Sequence, residues 1–102
     1  MIDWDRVEEL RDEIGDDDFV EVGRLFLSEI ESKLAEMGTA SAFSSADFHY
    51  LRGSAANLGF IEFAQCCAAA ESEAKSNGPV NFAEVKQSFA RARAEIGALF
   101  SD

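Results

Sequence analysis

"FVEVGRLFLSEIESKLAEM", residues 19–37, is the stretch that decides the fold class. Phe19, Val22, Phe26, Ile30, Leu34 and Met37 recur in it at spacings of three and four. That is the period of a helix with one apolar stripe, and the charged residues between fall on the other faces. A helix of this length with a single stripe must bury that stripe against other helices. "GDDD" at 15–18 starts it with carboxylates at a helix N-terminus, where the peptide dipoles favour negative charge, and Gly38 stops it.

The rest of the chain repeats the pattern. Upstream, Asp3 caps a short helix over 3–14 that carries Trp4, Val7, Leu10 and Ile14 on one face. The long helix spans 17–37. Downstream, "TASAFSSAD" (39–47) is a polar connection in which Ser44 or Ser45 caps a helix over 45–58, with the stripe Phe48, Leu51, Ala55 and Leu58. Gly59 pinches the chain, and a further helix over 60–76 shows Phe60, Phe63, Ala64, Cys67, Glu71 and Ala74. "SNGPVN" (76–81) is the clearest loop. Asn81 with Glu84 then opens a helix over 82–100 carrying Phe82, Val85, Phe89, Ala92, Ile96 and Leu99. No segment alternates with period two. The expectation is an all-α fold: an antiparallel up-down four-helix bundle with the short N-terminal helix packed across one end, forming a single domain over 1–102.

Composition narrows the function. At 102 residues the chain fits one domain, and 47% apolar content with nine Phe can supply a modest core. A net charge of −11 argues against nucleic acid and against an anionic membrane surface, and it suits a soluble cytoplasmic protein that meets other proteins. No apolar run is long enough for a membrane span, and "MIDWDRVEEL" lacks the basic and apolar regions of a signal peptide. Cys66 and Cys67 are helix neighbours about 100° apart, poorly placed to bridge each other, and read as reduced thiols. One histidine and no spaced cysteine pair leave no metal set. Enough helices are present for a monomer.

That single histidine, His49, stands apart. On a helical wheel it falls about 140° from the Phe48, Leu51, Ala55 and Leu58 arc, so it should face solvent. Gly53 lies one turn on and Ala56 two turns on, with Arg52 flanking the same strip. Glycine inside a helix costs about 1 kcal/mol relative to alanine, so Gly53 needs a reason, and clearance for an approaching protein supplies one. Between Met37 and Ile61 the only acidic residue is Asp47, in a chain with twenty carboxylates. An anionic group arriving at His49 would meet the Arg52 guanidinium rather than repulsion. Glu71 occupies a stripe position where Leu would be expected. It either accepts a hydrogen bond from one imidazole nitrogen across a helical hairpin or snorkels to water.

"HYLRGSAANLGF" (49–60) resembles the signature of the histidine-containing phosphotransfer (HPt) domain family. The pattern is a histidine, an apolar residue two on, a basic residue three on, glycine four on, small residues, and a glycine about ten on. Here these are His49, Leu51, Arg52, Gly53, Ser54 to Ala56, and Gly59. The short first helix, "GDDDF" (15–19) and the cysteine-containing helix after Gly59 are also similar to the family, so the resemblance covers nearly the whole chain. It implies a phosphorelay intermediate in two-component signalling. His49 would take a phosphoryl group from a receiver-domain aspartyl phosphate and pass it to another receiver aspartate. Arg52 would stabilise phosphoryl charge, Gly53 would give clearance, and Glu71 would bond the imidazole. Tyr50, Ala56, Asn57, Phe60 and Ile61 would form the partner-binding rim; for Tyr50, Phe60 and Ile61 the competing reading is core or hairpin packing, which is the stronger one for Phe60. Implied partners are response-regulator receiver domains and a hybrid histidine kinase. This chain would need no cofactor, because the receiver brings the magnesium ion, and without a nucleotide-binding loop it would not phosphorylate itself. Arg52 stands where many members have lysine, and Glu71 where many have glutamine. The competing reading is a helical interaction module that binds or sequesters a signalling partner without carrying phosphate.

Overall fold

A computed structural model of the chain describes residues 2–100. Five helices follow in order: α1 (Trp4–Ile14), α2 (Asp16–Gly38), α3 (Ser45–Leu58), α4 (Ile61–Lys75) and α5 (Phe82–Phe100). Helices α2 to α5 pack in a closed ring, each against the next and α5 back against α2, which is an up-down four-helix bundle. Helix α1 lies against α2 and α3. Its lead-in is tied to the turn between α3 and α4 by an isolated bridge from Ile2 to Phe60 and by the Asp3 amide donating to the Gly59 carbonyl at 2.7 Å. The short helix therefore closes the end of the bundle where α3 becomes α4.

Local chemistry explains most of the boundaries. Asp3 accepts from the Arg6 amide and caps α1, and Ser44 accepts from the Ala46 amide and caps α3. Asn81 accepts from the Glu84 amide at 3.1 Å and caps α5. Asp16, Asp17 and Asp18 fill the first turn of α2. Helix α3 ends on Gly59 in the left-handed conformation (φ 74°), its amide turned back onto Ala55 and Ala56. Phe60 lies outside α4 as its N-terminal flanking residue, so that helix starts one residue later than the apolar stripe suggests.

The core is contiguous. Phe48, Leu51, Ala55 and Leu58 of α3 are all buried, as their spacing requires. They meet Phe63, Cys67 and Ala70 of α4, Val85, Phe89, Ala92 and Ile96 of α5, and Ile30, Leu34 and Met37 of α2. Each fully buried Val, Leu, Ile, Phe or Met among them contributes about 1.5–3 kcal/mol relative to exposure. The first half of α2 departs from expectation. Its buried residues are Phe19, Gly23 and Leu27, while Val22 and Phe26 are only half-buried. The reason is at the other end of the chain, where the Phe100 ring fills the space above Gly23 and packs on Phe19 at 5.2 Å between centroids. Trp4, expected on the apolar face of α1, is 48% exposed. Ser88, a fully buried hydroxyl, donates to the Val85 carbonyl at 2.8 Å.

Candidate functional site

Because the α3 stripe faces the core, the residue after Phe48 is turned out. The His49 side chain is 67% exposed on the bundle flank where α3 and α4 run side by side. The strip beyond it is bare: nothing lies within 4 Å of where a Gly53 Cβ would stand, and Ala56 and Asn57 are exposed. Tyr50, next to His49, is 44% exposed, with the Lys33 ammonium of α2 5.9 Å from its ring centroid. The nearest acidic side chain on α3, Asp47, is engaged by the same lysine at 2.8 Å. That pairing offsets the one negative charge that α3 itself carries.

Glu71 reaches the imidazole from α4. Its side chain is 9% exposed, and Oε2 lies 3.2 Å from the His49 Nδ1. The Arg52 guanidinium folds over both residues, with Nε 3.2 Å from Glu71 Oε1 and Nη2 2.9 Å from His49 Nδ1. Lys75, one turn along α4, places its ammonium 3.4 Å from Glu71 Oε2. Burial alone raises the Glu71 carboxyl. The His49 hydrogen bond, the Arg52 charge and the Lys75 ammonium outweigh it and hold the group below its ordinary value. A carboxylate so placed is ionised at neutral pH and can orient the ring through one nitrogen. The other nitrogen, Nε2, makes no hydrogen bond among the described residues and belongs to the exposed part of the site.

The structure thus brings His49, Arg52, Gly53 and Glu71 into one cluster, with Tyr50, Ala56 and Asn57 around it. Two expected rim residues differ from that picture. Phe60 is fully buried, its ring 6.3 Å from that of Phe89, because the left-handed Gly59 turns the chain inward at that point. Its side chain packs the core. Ile61 is half-buried and lines a shallow depression with Asp3, Ala56, Gly59 and Ala64 beside α1. Lys75 escaped the sequence reading, although its position four residues after Glu71 is the favourable Glu-to-Lys helix spacing and was the available signal. Among the described residues no group of three His, Cys, Asp or Glu stands close enough to hold a metal ion, and no helix is long and apolar enough to cross a membrane.

The model of the Hpt domain family matches residues 5–95. Searches of curated proteins and of solved structures returned no match. The family match spans most of the chain and includes the entire cluster around His49; the chain belongs to the Hpt domain family, whose work is histidine phosphotransfer in phosphorelay signalling.

Proposed function

From that membership we propose that the chain is a phosphorelay intermediate whose carrier residue is His49. The observation that carries this reading is the exposed imidazole, its Nδ1 within hydrogen-bond reach of Glu71 and Arg52 and its flank open at Gly53. The partners are receiver domains of response regulators, with a hybrid histidine kinase upstream, and the setting is the cytoplasm. Residues 1–102 act as a single monomeric unit.

The chemistry follows from the geometry. With the ring proton on Nδ1 and shared with Glu71, the Nε2 lone pair attacks the phosphorus of an aspartyl phosphate on a docked receiver. The bond from phosphorus to the aspartyl oxygen breaks, and the carboxylate leaves with the electron pair. The ring, now carrying phosphorus on Nε2 and a proton on Nδ1, is positive, and the ionised Glu71 balances that charge. Arg52 follows the phosphoryl oxygens as its fork-shaped donor set permits. The reverse steps pass the group to a second receiver. Magnesium comes with the receiver, and this chain supplies nucleophile, orientation and a docking face of Tyr50, Ala56, Asn57 and Ile61.

The test is incubation with a receiver domain carrying labelled phosphate on its aspartate. Label should appear on this chain, stable to alkali and labile to acid, and should be absent from His49→Gln. Label on the His49→Gln protein would overturn the assignment of the carrier. Receiver binding without any label on the wild type would replace it with a pure interaction module.

A further inference from the structure

Two groups compete for a single nitrogen. His49 Nδ1 lies 2.9 Å from Arg52 Nη2 and 3.2 Å from Glu71 Oε2. A guanidinium nitrogen can only donate, and an ionised carboxylate can only accept. The neutral imidazole has one N–H, so it cannot satisfy both. With the proton on Nδ1 it donates to Glu71, and the Arg52 N–H faces a nitrogen with no lone pair to accept it. With the proton on Nε2, Nδ1 accepts from Arg52 and turns its lone pair toward the carboxylate.

We propose that Arg52 is a tautomer latch: at rest it holds the neutral ring with its proton on Nε2, and an arriving phosphoryl group releases it. Two observations favour the resting state, and a third favours its release. The Arg52 contact is the shorter of the two. The Glu71 oxygens are already paired with two cations, Arg52 Nε at 3.2 Å and Lys75 Nζ at 3.4 Å, so the carboxylate is not left bare when the ring proton sits elsewhere. The Arg52 side chain is 42% exposed on a surface that the clearance at Gly53 leaves open, so an anion can reach it without unpacking anything. In the resting tautomer the exposed nitrogen carries hydrogen and has no lone pair to offer. When phosphoryl oxygens draw the guanidinium away, Nδ1 loses its donor. The Nε2 proton passes to water, water returns a proton to Nδ1, and that N–H donates to Glu71. The ring remains neutral throughout, and Nε2 gains its lone pair only when a phosphoryl group is present. This deepens the carrier reading and rests on it.

The imidazole nitrogen shifts of ¹⁵N-labelled protein test the latch at a pH where the ring is neutral. Wild type should show the Nε2-protonated form in excess. Arg52→Ala should move the ratio toward Nδ1–H by about tenfold, the size expected for losing one charged hydrogen bond. Glu71→Leu should move it the other way. Arg52→Lys, which keeps a donor on a different geometry, should fall between wild type and Arg52→Ala. An unchanged ratio in Arg52→Ala, with helicity equal to wild type, would overturn the latch while leaving phosphotransfer standing. Absence of label on wild-type His49 from phosphorylated receivers would overturn the carrier reading beneath it.

Discussion

The Asp3 amide donates to the Gly59 carbonyl at 2.7 Å, and the Asp3 carbonyl stands 2.6 Å from where a Cβ on Gly59 would be. The lead-in to α1 is therefore seated on the turn that ends the His49 helix. Gly59 also has φ 74°, a conformation that costs other L-residues about 1–2 kcal/mol. Gly59→Ala meets both the strain and the contact. It should destabilise the fold by about 2 kcal/mol or more, read as a lower denaturant midpoint. The α1 amides should exchange fastest in the variant, because their anchor is what moves.

Gly53 is the opposite case. It is helical, and nothing lies within 4 Å of its missing Cβ. Gly53→Ala should stabilise the protein by up to about 1 kcal/mol through helix propensity. That corresponds to a rise of about 4–8 °C in Tm for a domain near this size. Phosphotransfer from a receiver should slow in the same variant and fail in Gly53→Gln, where a long side chain covers the approach to His49. Stability rising while transfer falls would show that the glycine serves access. Transfer unchanged in Gly53→Gln would refute that role.

The sequence made some of these features legible and hid others for identifiable reasons. The α3 stripe was readable because Phe48, Leu51, Ala55 and Leu58 contain no ambiguous member, and the same geometry turned His49 outward. The α2 stripe was misread in its first half because a buried glycine gives no apolar signal. Only the Phe100 ring, seventy-seven residues away in the chain, makes Gly23 a core position. Phe60 stood both in the apolar stripe and at the end of the motif, and the chain's turn at the left-handed Gly59 places its ring in the core. Glu71 stood out as a carboxylate in an apolar stripe. That it shares Nδ1 with Arg52 depends on the direction a long side chain takes, and neither spacing nor composition fixes that.

Cys67 should be inert beside a reactive neighbour. Burial, with the adjacent Cys66 adding to it, pushes the Cys67 thiol up to about 12 against an ordinary value of 9.0, and the Arg52 charge opposes this only in part. The thiolate is the reacting species, so Cys67 should alkylate far more slowly than the half-buried Cys66 at neutral pH. Mass mapping after brief iodoacetamide treatment should find the label on Cys66 and reach Cys67 only on unfolding. The linkage has a definite sign. A thiol harder to ionise when folded contributes fully below pH 9.0 and ceases to contribute as pH rises toward 12. Cys67→Ala should accordingly lose less stability than wild type between those limits, although its smaller side chain lowers stability at every pH.

Glu71 gives the mirror-image behaviour in acid. Its carboxyl is held below the ordinary value of 4.5, since its polar partners outweigh the opposing effect of burial. A carboxyl easier to ionise when folded stabilises the fold above the unfolded value, and that contribution disappears as pH falls below 4.5 through the folded value. In that window the unfolded chain binds the proton that the folded chain refuses. Glu62, lowered by its hydrogen bond from Arg91, behaves the same way on the α4–α5 seam. Glu71→Gln removes one of these two proton-linked groups while keeping a hydrogen-bonding amide in its place. Proton uptake on unfolding, obtained from the slope of stability against pH below 4.5, should fall by part of a proton in Glu71→Gln. Glu62→Gln should lower it independently, because its partner Arg91 is not shared with Glu71. A slope identical to wild type in Glu71→Gln would mean that the Glu71 cluster does not persist in solution, and the orientation of His49 through Nδ1 would fall with it.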